Sequence, residues 1–146
     1  RLRRQVMFLE TCGRLLQALW QEMSYTAQPL SDLWCHLAQH ETFAAFSLVQ
    51  NTAAGLSHNT FCAAFCAAVR QAGGEGLLLP TARQLLTEFA EGCGRTDLAG
   101  QQAHIDYYRA LLAAEEEDAR RLYAEKGRTY RVLGLTGGIA LMLLLS

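Results

Sequence analysis

Only two prolines, Pro29 and Pro80, occur in 146 residues. Proline removes a helical donor and clashes with the preceding turn, so its scarcity leaves most of the chain free to be helix. No stretch alternates polar and apolar residues with a period of two, which excludes a β-rich fold. Charge of one sign is lacking as well: 13 Lys and Arg stand against 14 Asp and Glu, for a net charge of −1. Such a chain has no broad basic field to hold a nucleic-acid backbone, and no nucleic-acid partner is expected. The five cysteines, Cys12, Cys35, Cys62, Cys66 and Cys93, are odd in number and sit mostly in apolar helical patterns. That is not the loop-rich spacing of a secreted disulfide framework, and it fits reduced thiols in a cytosol. The marks of catalysis are missing too. There is no Gly-x-Ser-x-Gly elbow and no Cys-x-x-Cys, and the glycines at 73, 74 and 76 lack the Gly-Lys-Ser/Thr ending that cradles phosphate. A non-enzyme without a cofactor is expected.

What is present is helical periodicity. Leu2, Val6, Leu9, Gly13, Leu16, Trp20 and Met23 alternate in steps of four and three, one stripe of a first helix, with Arg3, Glu10, Arg14 and Gln21 on its wet side. Pro29 closes it. Ser31 is read as the cap of a second helix carrying Leu33, Trp34 and Leu37 inward. A third is expected over 41–54, with Phe43, Phe46 and Val49 facing the core and Gly55 at its end. Ser57 is read as capping a fourth, where Phe61, Ala64, Phe65, Ala68 and Val69 form a stripe, and Thr81 a fifth, with Leu85, Leu86 and Phe89. The last helix starts from Thr96 or Asp97 and holds a seam of Leu98, Ile105, Tyr108, Leu112, Ala119 and Leu122. The fold class is therefore all-α, a bundle of about six helices with a long final one. One bundle domain is expected over 1–129, followed by a membrane segment over 130–146.

Residues 132–145 read VLGLTGGIALMLLL, with no charge. At about 1.5 Å per residue this stretch is roughly 22 Å long, against a hydrocarbon thickness of about 30 Å. Tyr130 at headgroup level and snorkelling Arg128 and Arg131, with Lys126 just before them, would help it span. Gly134 and Gly138, four apart, offer a groove for another membrane helix. The competing reading is a buried core helix or hairpin leg. The chain opens on Arg1, with Arg3 and Arg4 behind it, and no cleavable signal is visible. Were an apolar segment to precede Arg1, both basic flanks and the bundle between them would lie on the cytosolic side.

Glu115, Glu116, Glu117 and Asp118 precede Arg120 and Arg121. Glu116 with Arg120 and Glu117 with Arg121 are four-apart pairs in the favourable order, which support a helix by a few tenths of a kcal/mol each. The run is also a candidate partner-binding surface. A metal alternative joins His36 and His40 to Cys62 and Cys66, each pair four apart on one helical face, as a two-histidine, two-thiolate zinc site. Against it, both cysteines lie beside Phe61 and Phe65, where cysteine behaves as a small buried hydrophobe. His58 and His104 are read as surface or loop residues.

The order of these features resembles a known family. The basic start, LLQALWQEMSYTAQPLSDL at 15–33, GRTD at 94–97 with Gln101 and Gln102, and LLAAEEEDARRLYAEKGRTYRVLGLTGGIALMLLL at 111–145 together look like the stage III sporulation protein AB family of endospore-forming bacteria. Glu22, Tyr25, Pro29 and Leu30 make a looser match. The resemblance implies an amino-terminal membrane helix that this sequence does not include, and likeness to the F-type inner-membrane platform protein of type II secretion and type IV pilus machines. It implies a scaffold subunit of the channel complex that joins mother cell to forespore, held in the mother-cell (outer forespore) membrane with its bundle in the mother-cell cytosol. The implied partners are the other proteins of that complex, notably a cytosolic secretion-type ATPase, and the lipid membrane; assembly with copies of itself is left open. Gly127 departs from the family picture and is a hinge or a weak helical spot. A membrane-anchored metal or thiol protein, or a generic tail-anchored adaptor, are the alternatives.

Overall fold

The computed structural model describes residues 2–26, 28–94 and 97–145, with side chains described as far as Arg128. Six α-helices are found among them: α1 (Leu2–Tyr25), α2 (Leu30–Ala38), α3 (Ser47–Gly55), α4 (Phe61–Gly74), α5 (Pro80–Gly92) and α6 (Leu98–Leu145). No strand occurs among the described residues. At about 1.5 Å per residue, the 48 residues of α6 make a rod of about 72 Å.

The long helices α1 and α6 form the frame, and they run antiparallel. Gln102, in the first turns of α6, reaches Ser24 near the end of α1 (2.8 Å), whereas Arg120 meets Glu10 (3.0 Å) and Ala119 lies beside Gln5. α2, α3, α4 and α5 follow one another across the bundle and return the chain to α6. The core is aromatic on that side. Trp34 of α2 meets Phe61 and Phe65 of α4 edge-on, and Phe65 meets Phe89 of α5, with centroids 4.9–5.9 Å apart. The indole N–H of Trp34 donates to the Val49 carbonyl at 3.2 Å, so the largest core ring leaves no polar atom orphaned.

Several local expectations are corrected. The face of α1 is wider than one heptad stripe: Phe8, Cys12, Leu15 and Leu19 are buried beside Val6, Leu9, Leu16 and Met23. The helix packs against α6 on one flank and α2 on another, and Phe8 additionally meets Phe46 at 4.9 Å, so one stripe is not enough. The single helix expected over 41–54 is a 3-10 turn at Glu41–Phe43 followed by α3. The amide of Gln50 spans the break, donating to the Ala38 carbonyl (2.8 Å) at the end of α2 and to the Phe43 carbonyl (3.0 Å), which also accepts from the Phe46 amide at 3.1 Å. Three caps move. Ser31 lies inside α2, which starts after Pro29; Thr60, not Ser57, caps α4 by accepting from the Ala63 amide; and α5 starts at Pro80 itself, which is suited to a first helical position. Asp97 caps α6 as expected, its carboxylate accepting from the Gly100 amide at 2.9 Å, while Thr96 lies outside the described residues. Leu98 and Leu122, expected on the α6 seam, are exposed, because they lie at the ends of the stretch that α1 and α5 cover.

Two described glycines, Gly76 and Gly94, take a left-handed conformation, and Gly76 turns the chain back to the frame. Gly76 has φ 77°, and around it the Leu77 amide bonds the Ala72 carbonyl and the Gly76 amide bonds that of Gly73. This left-handed cap ends α4 and turns the chain under the first turns of α1.

Candidate functional site

Two adjoining surfaces of the α1–α6 frame hold most of the charged chemistry expected from the sequence. The first is the seam itself. Near its middle Glu10 receives Arg14 (2.7 Å) from its own helix and Arg120 (3.0 Å) from α6, and Arg120 also bonds Glu116 at 3.1 Å. The bond to Glu116, then the charges of Glu116 and Glu10, raise the pKa of Arg120 above its ordinary value. Beside this network lies a groove of about 470 Å³ whose floor includes Gly13, with Asp106 and Arg109 paired on its rim. A Cβ added at Gly13 would meet nothing within 4 Å, so the glycine keeps the groove shallow-walled.

The acidic run is thereby split into two faces. Glu116 and Arg120 turn toward α1 and are spent on the seam, and Ala119 is buried in it. Glu117, Asp118 and Arg121 point outward, their side chains 76%, 64% and 62% exposed, and pair loosely with one another at 3.6–3.7 Å. Glu115 stands between, half-buried, at the edge of a small apolar notch with Leu78, Leu122 and Gln5. Gln5 donates to the Gly76 carbonyl at 3.1 Å, and its own buried oxygen has no partner.

Lys126 and Arg128 are exposed beyond the bundle. Because α1 is antiparallel to α6, Arg3 and Arg4, also exposed, lie at the same end. The side chains of Tyr130 and Arg131, and the packing of Gly134 and Gly138, lie outside the described residues, although the backbone stays helical through them to Leu145. No helix among the described residues is long and apolar enough to cross a membrane.

The four-residue zinc set does not come together. His36 and His40 do face one another, with ring centroids 5.1 Å apart, but they converge with Glu22 of α1 rather than with the cysteines. The sulfurs of Cys62 and Cys66 lie 4.0 Å apart on α4, and Cys62 neighbours Cys93, the residue that follows α5. Burial, and then the neighbouring Cys62, push the thiols of Cys66 to about 11 and Cys93 to about 12. His58 is exposed in the turn after α3, as expected, but His104 is not a free surface residue. Its Nε2 donates to the Phe89 carbonyl at 2.8 Å, its ring stacks on Phe89 at 14°, and it covers Gly92. The four-residue step to Tyr108, whose ring meets it at 4.8 Å, is the signal in the sequence that places His104 on the face of α6 that packs against α5.

Among the described residues these features define an all-α bundle mounted on one long helix, with its exposed chemistry in charged helix faces. The sequence profile of the stage III sporulation protein AB family matches residues 1–146, and the chain belongs to that family. The fold agrees: a solved structure described as stage III sporulation protein AB superposes with a TM-score of 0.69 at 21% identity, covering 84% of this chain and 98% of the other. No curated protein sequence matches the chain. Family membership gives the chain a role in sporulation.

Proposed function

We propose that the chain is a membrane-anchored platform subunit of a channel complex between mother cell and forespore, with its bundle presented to a cytosolic secretion-type ATPase. The observation that carries the reading is the antiparallel pairing of α1 with α6. It brings the basic start of the chain and the basic stretch before residue 130 to one end of the bundle, where both would meet the same membrane surface. The apolar residues 132–145 continue α6 from that end and serve as the membrane segment, with Gly134 and Gly138 as its packing groove. The membrane is the outer forespore membrane, and the bundle faces the mother-cell cytosol.

The outward half of the acidic run, Glu117 and Asp118 with Arg121 and Glu115, is the docking surface for the ATPase. Glu116 and Arg120 support it from behind by fixing α6 to α1. The test is recovery of the ATPase, or of other stage III proteins, with the chain from sporulating cells. Reversal of charge at Glu117 and Asp118 lowers recovery with helicity unchanged. Equal recovery from the variant removes the docking role, and a chain that stays in the soluble fraction of such cells removes the anchor. An adaptor outside sporulation is separated by production that does not depend on starvation.

A further inference from the structure

Away from the seam, Glu22 of α1, His36 in the last turn of α2 and His40 just beyond it bring one ligand atom each to within 4.8 Å of the others, the one such trio of His, Cys, Asp or Glu among the described residues. We propose that they form a surface site for a borderline divalent transition-metal ion, with Zn²⁺ as the ordinary occupant, bridging α1 and α2. Two imidazoles and one carboxylate with a position left open to water are a donor set suited to this class of ion. Ligand atoms about a tetrahedral ion, bound at about 2.0–2.1 Å, lie roughly 3.3 Å apart. His36 Nε2 is already 3.7 Å from Glu22 Oε1, so side-chain rotation closes the set without moving backbone.

The backbone under the three ligands is fixed. Glu22 precedes the buried Met23, and His36 is flanked along α2 by the buried Trp34 and Leu37. His40 is pinned on both sides: its amide donates to the Leu37 carbonyl and its carbonyl accepts from the Phe43 amide, each at 3.1 Å. The histidine side chains are exposed and Glu22 half-buried, so the ligands are reachable while their attachment points are not free to drift. One cation opposes an ion here, since Arg14 lines the same open pocket of about 240 Å³ as Glu22 and His40. Its guanidinium is engaged by Glu10 at 2.7 Å, which turns that charge toward the seam. The site is independent of the platform reading, because it lies on the α1–α2 flank and uses none of the docking residues.

Titration of ZnCl₂ into the purified chain, free of any affinity tag and kept reduced, tests it, with Co²⁺ as a spectroscopic stand-in. The expected result is one ion per chain. His36→Ala, His40→Ala and Glu22→Gln each weaken binding by about tenfold or more, since even loss of an outer partner of a metal ligand costs about 10–100-fold. Co²⁺ gives visible ligand-field bands without thiolate-to-metal charge transfer, and Zn²⁺ raises the melting temperature of the parent chain but not of His36→Ala. Absence of stoichiometric binding overturns the proposal, as does equal binding by the three variants. So does a thiolate charge-transfer band that disappears in Cys35→Ser, which would assign the ion to the exposed cysteine beside His36. The parent chain's cobalt spectrum decides between histidine and thiolate ligation even where a variant is poorly folded.

Discussion

The half of the molecule built from α2, α3, α4 and α5 and the half built from α1 and α6 hold together by different means. In the first, rings and small residues interlock: Trp34, Phe61, Phe65 and Phe89 form a chain of edge contacts, and α3 approaches α4 so closely that a Cβ at Gly55 would stand 3.0 Å from that of Ala64. In the second, an apolar strip of Leu9, Leu16, Ile105 and Leu112 is bordered by charged pairs, an open groove at Gly13 and a Gln5 oxygen without a partner. Close packing specifies one arrangement and tolerates little change. Polar borders stay exposed and cost little to alter, so substitutions among the rings of the first half should cost more stability than substitutions in the charged border of the second.

Removing a ring from the aromatic half tests this contrast most severely. Phe65→Ala, at a fully buried position with three ring neighbours, is expected to lower unfolding free energy by about 3–5 kcal/mol in denaturant titration. A loss below 1 kcal/mol would erase the distinction. Gly92→Ala comes next. The added methyl overlaps the imidazole of His104 and dislodges it from Phe89, for an expected loss of about 1–3 kcal/mol by overpacking and a lost bond.

Alkaline pH probes both halves together. Burial raises the thiol of Cys93, just past α5, to about 12 and that of Cys12 in α1 further still, from an ordinary 9.0. The unfolded chain therefore releases these protons first, and stability falls as pH rises above 9, by about 1 kcal/mol per thiol near pH 10. Cys12→Ala and Cys93→Ala should each flatten the curve of melting temperature against pH; an unchanged curve would show that neither thiol is protected. The smallest effect belongs to the seam. Arg120→Ala, at an exposed ion pair, should leave the melting temperature nearly unchanged, and a drop as large as that of Gly92→Ala would mean that the charged border is structural after all.

Helix count and core were largely legible because they rest on periodicity. Phe61, Ala64, Phe65, Ala68 and Val69 are buried together as their spacing requires. Cap positions were less so, since Ser31, Ser57 and Thr81 are all chemically competent caps and tertiary packing decides where each helix starts. The break before α3 was hidden because Gln50 satisfies it from a distance of several residues, which no local pattern encodes. At the candidate site the acidic run was visible as a run, but its division between seam and surface depends on Glu10, more than a hundred residues away. The histidine pair was visible too. Its third member, Glu22, lies on another helix, and the cysteines that share its spacing face elsewhere.

The uninterrupted course of α6 from Leu98 to Leu145 makes the two parts of the chain torsionally one body. A rotation of its far end about the helix axis must reappear as a rotation of Glu117 and Asp118 relative to their surroundings, unless it is absorbed on the way. Gly127 stands between them, with nothing within 4 Å of where its Cβ would be, and it is the first of four glycines of weak helical preference, with Gly134, Gly137 and Gly138, on that stretch of the rod. These glycines, with Gly127 nearest the bundle, are therefore where twist passing between the bundle and the end of the helix is most easily absorbed.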